Sequence, residues 1–340
     1  MKYVFYFLVA LLCSACASER KGEREKWQRQ RDNIVDVRDK VKEIDTGDIL
    51  IGNWAHPYVC GRYLVIADAK SMDQQVHVFD KRTFRHVVSF GDKGQGPKEV
   101  TVLGTVAWNE ERHDFYVTDH GKLAILRYNL DSLLTDPLYA PTTKVRLAES
   151  AFPSDYVYVN DTLAYGVVIR PTSVSTFDQT SGRWNLLTGD FRTTDYVHPA
   201  DHKKRITLAV SLPHQRLVEC NQRFDLISLY NLEGELQCNV YGPNWNEGGD
   251  REEHFSDADV CGDKLIAAYV GGEWAHNDGA RTLLVFSMQG DYLQTLDVGR
   301  RINFFCCDEE NGRIILSMDD EIQFGYIDLQ ELTEGNRSPK

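Results

Sequence analysis

The chain has 340 residues, enough for one large domain or two ordinary ones, and an apolar fraction of 42% supports a substantial core. A net charge of −13, from 38 Lys and Arg against 51 Asp and Glu, excludes a broad basic face. Nucleic acid is set aside as a partner, and so is electrostatic adhesion to an anionic lipid surface.

The first sixteen residues stand apart. Lys2 is their only charge, and Tyr3 to Leu12 is an apolar run of signal-peptide length, too short to span a bilayer. It ends in Leu11-Leu12-Cys13-Ser14-Ala15-Cys16. Small residues directly before a cysteine resemble the bacterial lipoprotein signal, with Cys13 where that signal usually has an aliphatic residue. The resemblance implies cleavage after residue 15, lipidation of Cys16 and an outer-membrane lipoprotein of the cell envelope. A plain secretory signal is the alternative. The only membrane contact expected is the lipid anchor.

Residues 16–32 read as a charged tether, because Arg20 to Arg31 is interleaved with Glu19, Glu23, Glu25 and Asp32 and shows no apolar face. Beyond Cys16 six cysteines remain: Cys60, Cys220, Cys238, Cys261, Cys306 and Cys307. Export permits disulfides, yet the spacing is no dense framework, and neighbours such as Cys306 and Cys307 point to opposite faces of a strand. Buried thiols are expected.

From Ile34 onward the chain reads as strands and turns, with no persuasive amphipathic helix. One pattern recurs: a polar or glycine turn followed at once by an apolar strand. It occurs at Gly61 to Ile66, His113 to Val117, Asn160 to Leu163, His214 to Val218, Gly262 to Ile266 and Asn311 to Leu316. Its markers Leu64, Phe115, Leu163, Leu217, Leu265 and Ile314 recur at a near-constant interval of about fifty residues. Aromatic-then-polar pairs keep similar time: Phe79-Asp80, Tyr128-Asn129, Phe177-Asp178, Tyr230-Asn231, Phe286-Ser287 and, more weakly, Tyr326-Ile327-Asp328. Each unit therefore reads as four antiparallel strands, and units of this kind bury both faces only by stacking around an axis. The fold expected is all-β: a six-bladed β-propeller of four-stranded blades over residues 33–330, followed by a polar tail over 331–340. The last unit lacks a fourth strand, and Asp36 to Ile44 lacks a partner, so the N-terminal strand is expected to close the last blade.

The joint Phe90-Gly91-x-x-Gly94-Gln95-Gly96-Pro97-x-Glu99, then Asp114 to Asp119 and Ile125 to Tyr128, resembles an NHL-type repeat. It is especially similar to six-bladed, TolB-like propeller lipoproteins of Gram-negative gut bacteria. Val100 stands where that loop usually ends in Phe. The resemblance implies a fold and a place in the cell envelope, and no activity.

Catalytic signatures are sparse. Gly91 to Pro97 lacks the Lys-Ser/Thr and helix of a phosphate loop. There is no Gly-x-Ser-x-Gly elbow or His-Glu-x-x-His, and no Cys-x-x-Cys pair beyond Cys13-Ser14-Ala15-Cys16 of the signal segment. No cofactor is expected, with calcium as the open possibility through Asp257-x-Asp259 and Asp319-Asp320-Glu321. The loops after the second strands should gather on one face, placing Asp68, Asp119, Arg170, Asn221, Tyr269 and Asp319 around a channel mouth as a candidate ligand ring. Trp245 and Trp274, each near glycines, are candidate exposed aromatic loops. The function expected is a membrane-anchored binding module for a protein, peptide or glycan. The alternative is a calcium-dependent hydrolase or lyase with carboxylates at the channel mouth.

Overall fold

The computed structural model describes residues 24–173, 176–194, 196–247, 251–276 and 279–334. The signal segment, Cys16 and most of the tail lie outside them. The N-terminal strands are β1 (Glu25–Trp27), β2 (Ile34–Asp36) and β3 (Lys42–Glu43). Next come β4 (His56–Cys60), β5 (Tyr63–Ala67), β6 (Gln74–Asp80) and β7 (His86–Asp92), which form one antiparallel sheet in chain order. A second is β8 (Leu103–Asn109), β9 (Asp114–Asp119), β10 (Ala124–Asn129) and β11 (Thr142–Arg146), with helix α1 (Leu130–Thr135) inserted. A third is β12 (Phe152–Asn160), β13 (Leu163–Pro171), β14 (Phe177–Trp184) and β15 (Phe191–Thr193). A fourth holds β16 (Ile206–Ser211), β17 (Arg216–Asn221), β18 (Leu226–Asn231) and β19 (Leu236–Tyr241).

The remainder is one eight-stranded sheet rather than two sheets. It runs β20 (Glu252–Cys261), β21 (Lys264–Glu273), β22 (Ala280–Ser287), β23 (Tyr292–Asp308), β24 (Arg313–Met318), β25 (Phe324–Asp328) and then β3, with β2 as the eighth strand beside β23. Hydrogen bonding thus gives five sheets where sequence spacing predicts six units. The physical reason is β23: its 17 residues continue across a joint that elsewhere breaks the ladder. Residues 292–297 pair with β22, and 302–308 pair with β24.

Second strands are largely buried because both faces are covered. β9 and β24 are buried at every residue. Cores lie between successive strand groups: Val65, Val78 and Phe90 meet Val106, Phe115 and Leu126, for example. Another joins Leu64, Ile66 and Phe79 to Cys306, Ile315 and Phe324, bringing the end of the chain against its beginning.

The joint at residues 91–100 is a packed connector. Gly91 takes φ +77°, Lys93 bridges Val100, and Thr101 Oγ1 donates to the Gly94 carbonyl at 2.9 Å. Lys122 Nζ donates to the Gly96 carbonyl at 2.6 Å, and Val100 is fully buried.

A side-chain cap follows the third strand of every group. Asp80, Asn129, Asn185, Asn231, Ser287 and Asp328 each accept an amide from the turn ahead. In the third sheet this places Trp184-Asn185, not Phe177-Asp178, at the strand end. The β13–β14 hairpin is longer than the others, so Phe177 begins β14. The run from Gly182 to Leu187 is accordingly the end of a third strand and its turn, and the fourth strand is β15.

Two boundaries change. The tether does not stay free to Asp32: from β1 onward the segment lies along the outside of the ring. β1 runs parallel to β19, β2 runs parallel to β23, and β3 pairs antiparallel with β25. Trp27 stacks on Tyr241 at 4.2 Å between ring centroids, and Val37 is fully buried. The polar tail likewise begins late. Helix α2 (Leu329–Glu334) buries Leu332, while Glu331 pairs with Lys42 at 2.6 Å. No helix among the described residues is long and apolar enough to cross a membrane.

Candidate functional site

The first strands of the groups (β4, β8, β12, β16, β20 and the second half of β23) line a central channel. Two cavities occupy it, meeting at His56, Tyr58, Asp155, Leu208 and Asp257. The wider, about 780 Å³, opens at the hairpins after the first strands. The narrower, about 360 Å³, opens on the face of the loops that follow the second strands.

Neighbouring first strands diverge too far for a backbone ladder, so side chains link them. Asp257 Oδ2 accepts the Phe305 amide at 3.0 Å, and Asp259 Oδ2 accepts the Cys307 amide at 2.8 Å. Their other oxygens accept the amides of Ala258 and Val260. Thr105 Oγ1 donates to Asp155 Oδ1 at 2.8 Å in the same way. Burial drives the Asp257 carboxyl well above its usual range and pushes Asp259 up to about 6, with the backbone amides opposing it. Asp155 and Asp257 share a context, Ser154-Asp155 and Ser256-Asp257, with a bulge just before each aspartate.

His56 is sandwiched between Tyr58 (4.4 Å) and Phe304 (4.6 Å), and burial lowers its imidazole to about 4. Trp54 meets Phe304 edge-on at 5.2 Å, and Lys70 Nζ lies 4.9 Å from the Trp54 ring centroid. At the wide end, Lys81 bridges Asp308 (3.1 Å) and Glu310 (2.8 Å), and Arg313 donates to Asp308 at 2.8 Å.

The ring anticipated from sequence spacing sits on the loop face, but its members mainly hold loops. Asp68 accepts the Gly52 and Lys70 amides at 2.6 and 3.0 Å. Asp119, fully buried, accepts the amides of Thr101, Val102, Gly121 and Lys122. Asn221 accepts the Arg223 and Phe224 amides and donates to Asp201. Tyr269 turns its hydroxyl to Asp225, Asn244 and His254. Arg170 is exposed at the end of β13 opposite Asp178. Asp319 is exposed and accepts Asn53 Nδ2 at 2.8 Å. None of the six lines the channel cavities. The residues one position on do so in three cases: Ala69, His120 and Gln222. The spacing found the loops, and the alternation of side-chain direction decides which neighbour faces inward.

The two candidate tryptophans serve separate places. Trp245 packs against Tyr241 (4.8 Å), His198 (5.1 Å) and Phe224 (5.4 Å). Trp274 borders a shallow depression with Arg223, Arg251 and Glu273, and remains 44% exposed. Cys16 lies outside the described residues.

The carboxylates suggested for calcium do not make a cage. Asp257 and Asp259 spend their oxygens on backbone amides, as above. Asp320 pairs with Arg300 at 2.7 Å, and Asp319 faces Arg301 at 3.7 Å. Among the described residues no three His, Cys, Asp or Glu side chains converge as a hard cation needs.

No family model matches the chain, and no curated protein does. Solved structures do match in fold. A candidate exported protein of Bacteroides fragilis superposes with a TM-score of 0.53 at 15% identity, covering 87% of this chain and 88% of that one. The calcium-binding protein regucalcin of Agrobacterium tumefaciens gives 0.55 at 8% identity, covering 86% and 94%. The Cps50 (Swd1) β-propeller domain of Myceliophteria thermophila gives 0.53 at 9% identity, covering 84% and 99%. The chain has a β-propeller fold. Identities this low carry the architecture and nothing about activity.

Proposed function

We propose that the chain is an exported lipoprotein, anchored through Cys16, whose propeller binds a protein, peptide or glycan partner without catalysing a reaction. The propeller is read as six-bladed by taking the eight-stranded sheet as two blades that share β23. Six capped third-strand ends and the core joining Ile315 to Leu64 favour that count. Export fits the apolar start ending at Cys16 and the name borne by the Bacteroides neighbour.

One observation carries the binding reading. The loop-face cavity keeps polar side chains without partners, Thr207 and Gln222 among them, while Asp257 gives both oxygens to backbone amides and Asp155 keeps only Oδ2 uncommitted. A surface with uncommitted donors and committed acids suits holding a ligand better than acid–base or metal work. Metal content and thermal melting of the purified chain, with and without a chelator, test the reading. A melting temperature indifferent to chelator is expected. Stoichiometric calcium whose removal also removes stability would overturn it in favour of the calcium-dependent hydrolase or lyase.

A further inference from the structure

We infer that the narrower channel cavity binds a neutral carbohydrate of one or two rings, a proposal that rests on the reading of the chain as a binding module.

No lysine or arginine is among the residues lining this cavity, and Lys70 at the rim lies against the Trp54 ring, so a phosphate, sulfate or carboxylate would meet no counter-charge inside it. Cationic ligands fare little better. Asp257 gives both oxygens to backbone amides, and Asp155 accepts from Thr105 and from the Tyr156 amide on Oδ1, so a cation would meet a single free carboxylate oxygen, Asp155 Oδ2. A neutral ligand remains, and the lining asks that it be polar. The side chains of Thr207 and Gln222 make no hydrogen bond, and Ser256 Oγ and His120 Nδ1 are buried without a partner. Buried donors and acceptors left unpaired are costly, so an occupant that supplies both is favoured.

Sugar hydroxyls both donate and accept, and one face of a pyranose presents C–H groups that lie against aromatic rings. Such rings stand at the cavity. Tyr58, His56 and Phe304 form a continuous stack, and Trp54, 42% exposed, adjoins Phe304 at the rim. A volume of about 360 Å³ suits a small ligand rather than a folded partner. The wider cavity at the other end differs in kind: Arg62, Lys81, Glu110, Glu309 and Glu310 make it strongly charged.

Calorimetry and tryptophan fluorescence on the purified full chain test this, with maltose, cellobiose and diacetylchitobiose as neutral probes and tetralysine and tetraglutamate as charged ones. Saturable binding of at least one disaccharide is expected. Trp54→Ala and Gln222→Ala should each weaken it about tenfold or more without lowering the melting temperature. Two variants are used because the Gln222 side chain supports no other group, so its loss tests the contact apart from any effect on folding. Binding of a charged peptide with no disaccharide bound would overturn the carbohydrate assignment and leave the binding module standing. Disaccharide binding that survives both substitutions would overturn the cavity as its site. Silence from every probe would overturn the carbohydrate assignment and count against the module as well.

Discussion

Arg31 and Asp225 form an ion pair across 194 residues of sequence: the guanidinium Nη2 lies 2.7 Å from Oδ1, with side-chain exposures of 8% and 0%. Asp225 Oδ2 also accepts the Asn244 amide at 3.1 Å, and the guanidinium carbon lies 5.0 Å from the Tyr269 ring centroid. The pair pins the N-terminal strap between β1 and β2, where the strap passes from one strand group to the next.

Removing either partner leaves a buried charge alone. Arg31→Met or Asp225→Leu should each cost about 3–5 kcal/mol, and the double substitution should recover much of that loss. Urea melts of the three variants check it. The strap makes a related demand: deletion through residue 32 should lower the melting temperature, since it removes β1, the Trp27–Tyr241 stack and Arg31 together. Equal melting of truncated and full chains would show that the strap adds nothing.

Asp119 separates a structural carboxylate from a ligand-binding one. Asp119→Ala strands four amides, two in the loop that leads into β8 and two in the turn after β9, and should cost about 3 kcal/mol. Affinity for any ligand of the loop face, measured below the melting range, should hardly change. A variant of normal stability with lost binding would restore Asp119 to the ligand ring.

Two channel groups make stability respond to pH in opposite senses. Asp259 titrates at about 6 in the folded chain against 3.8 for a free aspartate. Its contribution is therefore complete below about 3.8 and is lost as pH rises through 6. Asp257, raised by the same burial, acts in the same direction. His56 titrates at about 4 when folded against 6.5, so its contribution is complete above 6.5 and is lost as pH falls through 4. Each is worth up to about 3 kcal/mol across that window. Acidification from pH 6.5 to 4 should thus stabilise His56→Gln and destabilise Asp259→Asn, both relative to the parent chain. Parallel slopes for all three chains in denaturant titrations would contradict the assignment.

The thiols should be quiet. Burial pushes Cys60 up to about 12 and raises Cys220 and Cys306 as well. Alkylation of the native chain followed by mass spectrometry should leave these three unlabelled, and denaturant should expose all of them. Fast labelling of Cys60 or Cys306 in the native chain would show that the channel wall opens, and of Cys220 that the core between strand groups does.

Much of the fold was legible because it is local. The buried second strands announce themselves as unbroken apolar runs such as Tyr63 to Ala67, and the turns as side chains that cap their own backbone. The site was less legible. Asp68 and Asp119 were noticed because they recur at the right interval, yet recurrence marked a loop-building role, and the cavity belongs to their neighbours Ala69 and His120. A closer signal lay in the repeated Ser-Asp of Ser154-Asp155 and Ser256-Asp257, whose aspartates reach the channel floor.

The sequence by itself determined the all-β class, the period near fifty residues and the demand for an N-terminal strand beside the last one, because each follows from hydrophobic pattern and turn chemistry within a few residues. Tertiary structure alone decided that the charged segment around Arg31 is a strap and not a tether. It likewise decided that β23 runs on through a joint and that Asp257 and Asp259 are committed to the amides of Phe305 and Cys307. A charge or an amide is satisfied by whichever group folding brings within about 3 Å, and nothing in the local sequence records a partner that far along the chain.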